Sequence, residues 1–410
     1  MPSTTHSIAT EPATKPSRKI APERSATLRF WGVRGSTPTV DKATWRYGGN
    51  TACVELTTPV GARIILDCGT GLRMLGRHLE TTQDESAEHE PHIFVTHYHW
   101  DHIQGIPFFS PLYAEHNRFH FYSFRSEYLG AGSLKRVFEA QMAYPYFPVD
   151  LAAMCAKRDF TEVSGGDAIS VPGARVTARW LHHPQGCLGF RFETSAGTVV
   201  YATDNEPGNT KLDRSLRELA EGADIFINDA QFTPEQLATT RKGWGHSSWL
   251  EGVKIAEEMR VKNLVLFHHD PDSTDKAVDS ILREARGKFA NVWAAAEGMV
   301  MTLGEDDLDV VIPASREGLR RDAHFRARVT GETDGGHAFE EETVISDLTL
   351  HGALIYLDHS PKLQSELQVL LDNPGIDGSS NSPLRLRGYV VRIEPQEDKE
   401  RTAVGIVFTE

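Results

Sequence analysis

Three histidines and an aspartate, His97, His99, Asp101 and His102, stand within six residues directly after the apolar run Ile93–Val95, in the stretch IFVTHYHWDHIQG. The apolar run reads as a buried strand, so the chain has to fold in a way that turns a strand end into a cluster of metal-type ligands. Eighteen histidines spread over 410 positions do not account for that fixed order. In an extended loop side chains alternate, so His97, His99 and Asp101 project to one side while His102 begins the next turn. Such an arrangement serves two adjacent metals rather than one. The motif alone closes neither coordination shell.

Further ligands are expected at other strand ends. LHHPQGCLGF offers His183 ahead of a Gly-aromatic strand, VVYATDNEP offers Asp204 and LVLFHHDP offers His268. Each of these, taken singly, reads as a hydrogen-bonded loop residue; their repeated placement after apolar strands is what singles them out. Imidazoles and carboxylates suit zinc, manganese or iron alike, with zinc first by prevalence, and a thiolate site is excluded.

At 410 residues the chain is long enough for two folded units. The formal net charge of −14 argues against gripping a nucleic-acid backbone and favours a small-molecule substrate. The four cysteines, Cys53, Cys68, Cys155 and Cys187, are far apart, with no CxxC, as expected in a reducing compartment. No run of about eighteen apolar residues is present to span a bilayer. Residues 1–26, rich in Ser, Thr, Pro and Ala, read as a disordered leader, and the protein is expected to be cytoplasmic. A homodimer is left open. Strands and helices alternate from ATLRFWG to Leu303, including the helices LRMLGRHLE and SWLEGVKIAEEM, which is an α/β pattern over residues 27–304. The pattern breaks between 304 and 316, and 316–410 reads as a small all-β unit.

The order HxHxDH at 97–102, His183 before GCLGF, Asp204 in YATD, GHSS at 245–248 and His268 in LVLFHHDP resembles the metallo-β-lactamase-fold hydrolases. It is most similar to the phosphodiesterase branch that includes RNase Z and PhnP-like enzymes. The resemblance covers Leu28 to Leu303 and implies an αββα sandwich. It also implies that His97, His99 and His183 hold one divalent metal and Asp101, His102 and His268 a second, with Asp204 bridging. Beside Asp101, the candidate catalytic residues are Asp67 in ILDCGTG, as the buried aspartate that orients a metal-bound imidazole, and His246, as the donor of a proton to the leaving oxygen. Asp67 reads equally well as a turn cap before Gly69, and His246 as part of the lead into a helix capped by Ser247 or Ser248. The family's function implies a metal-dependent phosphodiesterase acting on a small, linear or cyclic phosphodiester. An RNase Z-like tRNA 3′ endonuclease is the rival, weakened because the insert between His102 and His183 is aromatic and only mildly basic.

The C-terminal unit carries SREGLRRDAHFRARV and then SDLTLHGALIYL. The order is similar to a PilZ domain, whose RxxxR strap and DxSxxG motif imply binding of cyclic di-GMP. Asp347, Thr349 and Gly352 fill the second motif. In the first, Arg316 and Arg320 keep the spacing but stand early, while Arg320 and Arg321, followed by Arg326, sit just before the strand. Arginine forks bind phosphates and stack on purines. The implied partners are a phosphodiester substrate and cyclic di-GMP, the latter as regulator. The alternative is a cyclic di-GMP effector whose catalysis is incidental.

Overall fold

The computed structural model describes residues 24–82, 90–304, 307–312, 325–349, 352–371, 384–395 and 401–408. The chain divides into two compact units after residue 313. In the first, strands β1 (Ala26–Gly32), β2 (Cys53–Thr57), β3 (Arg63–Leu66), β4 (His92–Phe94), β5 (Arg118–Ser123) and β6 (Lys157–Glu162) lie in one sheet. β7 (Ala168–Val171), β8 (Ala174–Leu181), β9 (Cys187–Thr194), β10 (Gly197–Ala202), β11 (Ile225–Asp229), β12 (Asn263–Phe267) and β13 (Val292–Ala294) form the second. β14 (Val300–Leu303) and β15 (Leu308–Val311) return to the first sheet beside β1, giving it eight strands. β3 to β6 run parallel, as do β10 to β13.

The short apolar runs of the sequence are the parallel strands, buried on both faces. In β3, Ile64 and Leu66 point into the core between the sheets while Ile65 points outward. In β11, Ile225 and Ile227 face inward and Phe226 outward. The outer face of the first sheet is covered by α1 (Gly71–Thr82) through Leu72, Leu75 and Leu79 and, beyond the four-residue α2 (Trp100–Ile103), by α3 (Ser133–Gln141) through Leu134 and Phe138. The second sheet is covered by α4 (Thr210–Ala220) and, after the short α5 (Pro234–Ala238), by α6 (Trp249–Glu258) and α7 (Asp275–Arg286), through Leu216, Leu219, Trp249, Val253 and Ala285. The four layers are the αββα sandwich. α4 and α7 lack the apolar clusters that mark α1 and α6 in the sequence; each buries a narrow stripe and exposes a charged face.

The second unit is a closed antiparallel barrel of β16 (Phe325–Glu332), β17 (Ala338–Thr349), β18 (Gly352–Leu357), β19 (Glu366–Leu371), β20 (Leu384–Pro395) and β21 (Thr402–Phe408), in the order β16-β17-β18-β21-β20-β19. Strict alternation builds its core: Ala327 and Val329 of β16 and Leu367, Val369 and Leu371 of β19 point inward, while Arg326 and Arg328 face out. None of the four cysteines is in a disulfide. Among the described residues no helix is long and apolar enough to cross a membrane.

Candidate dinuclear metal centre

The site is assembled at the carboxyl ends of parallel strands, where open α/β sheets present their loops. β4 stops at Phe94, so the motif that follows is a loop through His99 and then the turn of α2. Asp101 and His102 are therefore helical rather than part of an extended loop, and one turn sets them side by side, with Asp101 Oδ2 3.1 Å from His102 Nε2. Asp67 follows β3, Asp204 follows β10 and His268 follows β12. All three adopt left-handed backbone conformations, with φ of 60°, 55° and 60°. Residues with a Cβ rarely sit there, and such strain is held where the surrounding structure over-determines it.

All seven residues singled out as ligands converge. His183 Nε2 lies 3.0 Å from His99 Nδ1 and 3.9 Å from Asp204 Oδ1, and His97 Nε2 is 3.8 Å from the same oxygen. On the other side His268 Nε2 is 3.2 Å from His102 Nε2 and 3.1 Å from Asp101 Oδ2, and both imidazoles are 3.4 Å from Asp204 Oδ2. Asp204 thus turns one oxygen to each half. His97, His99 and His183 make one set of donor atoms close enough to share an ion, and Asp101, His102 and His268 another.

Each imidazole is oriented through its other nitrogen. His102 Nδ1 donates to Asp67 (2.8 Å), His183 Nδ1 to the Gly245 carbonyl (2.7 Å) and His268 Nδ1 to Gln231 Oε1 (3.0 Å). His97 Nδ1 meets Thr96 Oγ1, which itself donates to Asp67. Tyr201 also donates to Asp67, and the Ser36 amide donates to Asp101. His246 Nδ1 donates to Asp229 Oδ2 at 2.8 Å, and Asp229 accepts two backbone amides as well, from Gln231 and Ser247. Thr96, Tyr201, Asp229, Gln231 and Ser36 were not among the residues read from sequence. Asp229 ends the apolar strand IFIND just as Asp67 and Asp204 follow theirs, a signal that was available; the others are marked by no motif.

The donor set fits divalent cations. Asp67, Asp101, Asp204 and Asp229 are all buried, and so much negative charge in one place requires positive charge beside it. His97 Nε2 is buried with no hydrogen-bond partner although it faces the cluster. Burial holds His97 and His99 below the usual imidazole range and pushes His183 down to about 4, whereas for His102 burial is overcome by Asp101, Asp204 and Asp67, which hold it well above that range. Burial opposes charge on Asp204 and Asp101 too, but the surrounding histidines outweigh it and keep both carboxyls well below their ordinary range. For His246, burial opposes the proton, and the Asp229 carboxylate overcomes it and raises the group to about 9.

In the barrel, Arg326 is exposed on the outer face at the start of β16, across from Val344. The backbone of Thr349 pairs with that of Gly352 at the β17–β18 turn, and Asp347 pairs with Leu354 next to a bulge. Since Phe325 is in register with Ile345, the start of β16 and this turn share one end of the barrel. Arg316, Arg320 and Arg321 lie outside the described residues.

The family pattern described as beta-lactamase superfamily domain matches residues 62–269, and that of the PilZ domain matches 315–410. The chain belongs to the metallo-β-lactamase superfamily and is a metal-dependent hydrolase with a C-terminal PilZ domain. Among its relatives, ribonuclease Z of Haloarcula marismortui is 23% identical over 331 residues, spanning 69% of this chain and 98% of that one. Ribonuclease Z of Haloferax volcanii is 28% identical over 320 residues, spanning 68% and 96%. Two solved structures share the fold at a TM-score of 0.50. The metallo-beta-lactamase fold protein YhfI from Bacillus subtilis is 19% identical, covering 68% of this chain and 99% of its own. A diphosphatase from the PhnP family is 20% identical, covering 68% and 98%.

Proposed function

We propose that the chain is a dinuclear phosphodiesterase acting on a small phosphodiester and tuned by cyclic di-GMP at its barrel. His97, His99 and His183 hold one divalent ion, zinc by default, and Asp101, His102 and His268 the other, with Asp204 shared. Two such ions supply a nucleophile from water at neutral pH and offset charge on a phosphoryl group. The observation that carries the reading is the Asp229–His246 pair beside the cluster, with the two groups 2.8 Å apart. Asp229 fixes the proton on Nδ1 and favours the imidazolium, so Nε2 is the atom from which His246 gives a proton to the departing oxygen. Asp67 orients His102, and Asp101, fixed by the Ser36 amide, keeps its oxygen turned to His102 and His268. No side chain has to act as nucleophile.

The ribonuclease Z relatives favour a second reading, cleavage of tRNA 3′ ends, in the same chemical class. Against it stand the net charge of −14 and the segment between His102 and His183, where α3 carries Lys135 and Arg136 beside Glu139. At the barrel, Arg320, Arg321 and Arg326 would clamp the phosphates and purines of cyclic di-GMP above Asp347, Thr349 and Gly352, in keeping with the shared end of β16 and the β17–β18 turn. The test is a panel of linear and cyclic phosphodiesters and a precursor tRNA, offered to the metal-loaded full chain with and without cyclic di-GMP. Turnover of a small ester is the expected result. A chain that holds two ions and hydrolyses none of the panel overturns the proposal, and turnover of the tRNA alone selects the second reading.

A further inference from the structure

A half-open recess of about 240 Å³ adjoins one half of the centre. His97 and His99 form one wall, and Phe124, Tyr128, Leu129 and Gln185 are among the residues of the others. His246, Asp101 and His268 are not among the residues that line it. Its back is rigid and aromatic: Phe124 packs against Tyr98 at 4.9 Å between ring centroids and edge-on to Trp180 at 5.2 Å, and the Tyr98 hydroxyl donates to the Phe124 carbonyl. At the rim, Tyr128 is 75% exposed, a large apolar side chain left in water.

Gln185 is the unusual member. The turn His183–Gly186 is closed by the Gly186 amide on the His183 carbonyl, with Pro184 second and Gln185 third. That third position takes φ of +66°, which a type II turn ordinarily assigns to glycine or asparagine. The turn demands that backbone conformation but not a glutamine, so the side chain is what the position has gained in place of glycine. Its Oε1 accepts from His99 Nε2 at 3.2 Å, which directs His99 Nδ1 to the centre. Its amide nitrogen has no hydrogen-bond partner among the described residues and is carried at the recess wall.

We infer that this recess binds a nucleobase, so that the substrate is a nucleoside phosphodiester whose base stacks against Tyr128 while the Gln185 amide meets its polar edge. Every base has a π face for an aromatic platform, and one amide donor suits the carbonyls that most bases carry. The inference rests on the phosphodiesterase reading for its place in the reaction, but the recess can be tested separately.

The metal-loaded full chain is assayed with thymidine 5′-p-nitrophenyl phosphate and methyl p-nitrophenyl phosphate, which share a leaving group and differ only in what remains on phosphorus. Binding of thymidine 5′-monophosphate and methyl phosphate is measured by calorimetry on the same samples. Wild type should favour the nucleoside member of each pair by about tenfold or more, the size of one stacked base. Tyr128→Ala should bring both ratios close to one, and Tyr128→Trp should restore them; the exposure of Tyr128 makes both variants safe for folding. Equal treatment of the two members of each pair by wild type, or ratios that Tyr128→Ala leaves unmoved, overturns the recess as a base site while the phosphodiesterase reading stands. If neither ester is cleaved but the monophosphate still binds through Tyr128, the recess is upheld and the phosphodiesterase reading falls.

Discussion

The hydrolase unit and the barrel treat polar groups in opposite ways. The first buries four aspartates and five histidines, His97, His102, His183, His246 and His268, at one spot, and wires them together by hydrogen bonds that reach back into the sheets. The barrel encloses a largely aliphatic core with Phe339 among its members, and most of its described charged residues stay outside, as where Arg328 meets Glu340 and Glu342 across strands. Its one buried carboxylate among the described residues, Glu341, is tied to the turn at Asp358 and His359. Backbone strain divides the same way. Among the described residues, seven non-glycine positions have left-handed backbone: Ser36, Asp67, Gln185, Asp204 and His268 belong to the centre or touch it, and in the barrel Gln364 is the one described case. A catalytic centre has to be built against local preference, whereas a ligand strap on a barrel surface can be added without disturbing the core.

That contrast breaks most sharply at Asp204. Asp204→Ala removes the carboxylate that faces both halves of the cluster, and elemental analysis should find the content fall from about two ions per chain while hydrolysis falls to background. Full occupancy in that variant would refute the ligand set. Next in size is His246→Ala, which should lower turnover roughly a hundredfold or more on an ester with a poor leaving group, with metal content intact.

Asp229→Asn sharpens the same point through pH. The Asp229 carboxylate raises His246 against the opposing effect of burial, so its loss lets burial dominate and lowers the pKa. The acid form then disappears at lower pH, and the alkaline limb of the pH–rate profile should move down; an unmoved limb separates His246 from the proton transfer. In the barrel the effects should be additive to the fold and not destructive of it. An Arg320→Ala, Arg321→Ala double variant should lose the calorimetric signal with cyclic di-GMP and any coupling to hydrolysis, about 1–3 kcal/mol in an allosteric pair, and still melt like wild type. Absence of binding in wild type itself would make the barrel a docking module. The smallest effect belongs to Gln185→Gly. Release of the left-handed strain, partly offset by the freedom of glycine in the unfolded chain, should raise stability by up to about 1 kcal/mol in thermal unfolding. A marked loss would mean that the side chain is structural.

Much of this was legible in the linear order of residues. The alternation and the apolar runs marked most strands, because a strand buried on one face or on two leaves a period-two or unbroken apolar trace, and the seven residues around the centre each stand next to such a trace. α4 and α7 were harder to see, since a helix that buries only a stripe against a sheet leaves few apolar residues to find. The partners of the histidines were harder still. Tyr201 points into the core from near the end of β10, and nothing in VVYATD distinguishes it from a packing residue until the sheets come together and set its hydroxyl 2.9 Å from Asp67.

By itself, then, the sequence determined the two units, the strand ends that carry the candidate ligands and the kinds of atoms they offer, because those follow from local periodicity and side-chain chemistry. Only the tertiary structure decided which nitrogen each imidazole turns inward, that Asp229 holds His246, and that an aromatic recess with a strained glutamine opens beside His99. These are contacts between residues some 17 to 170 positions apart, such as His246 with Asp229 and His268 with Asp101, and their distances exist only once two sheets pack face to face.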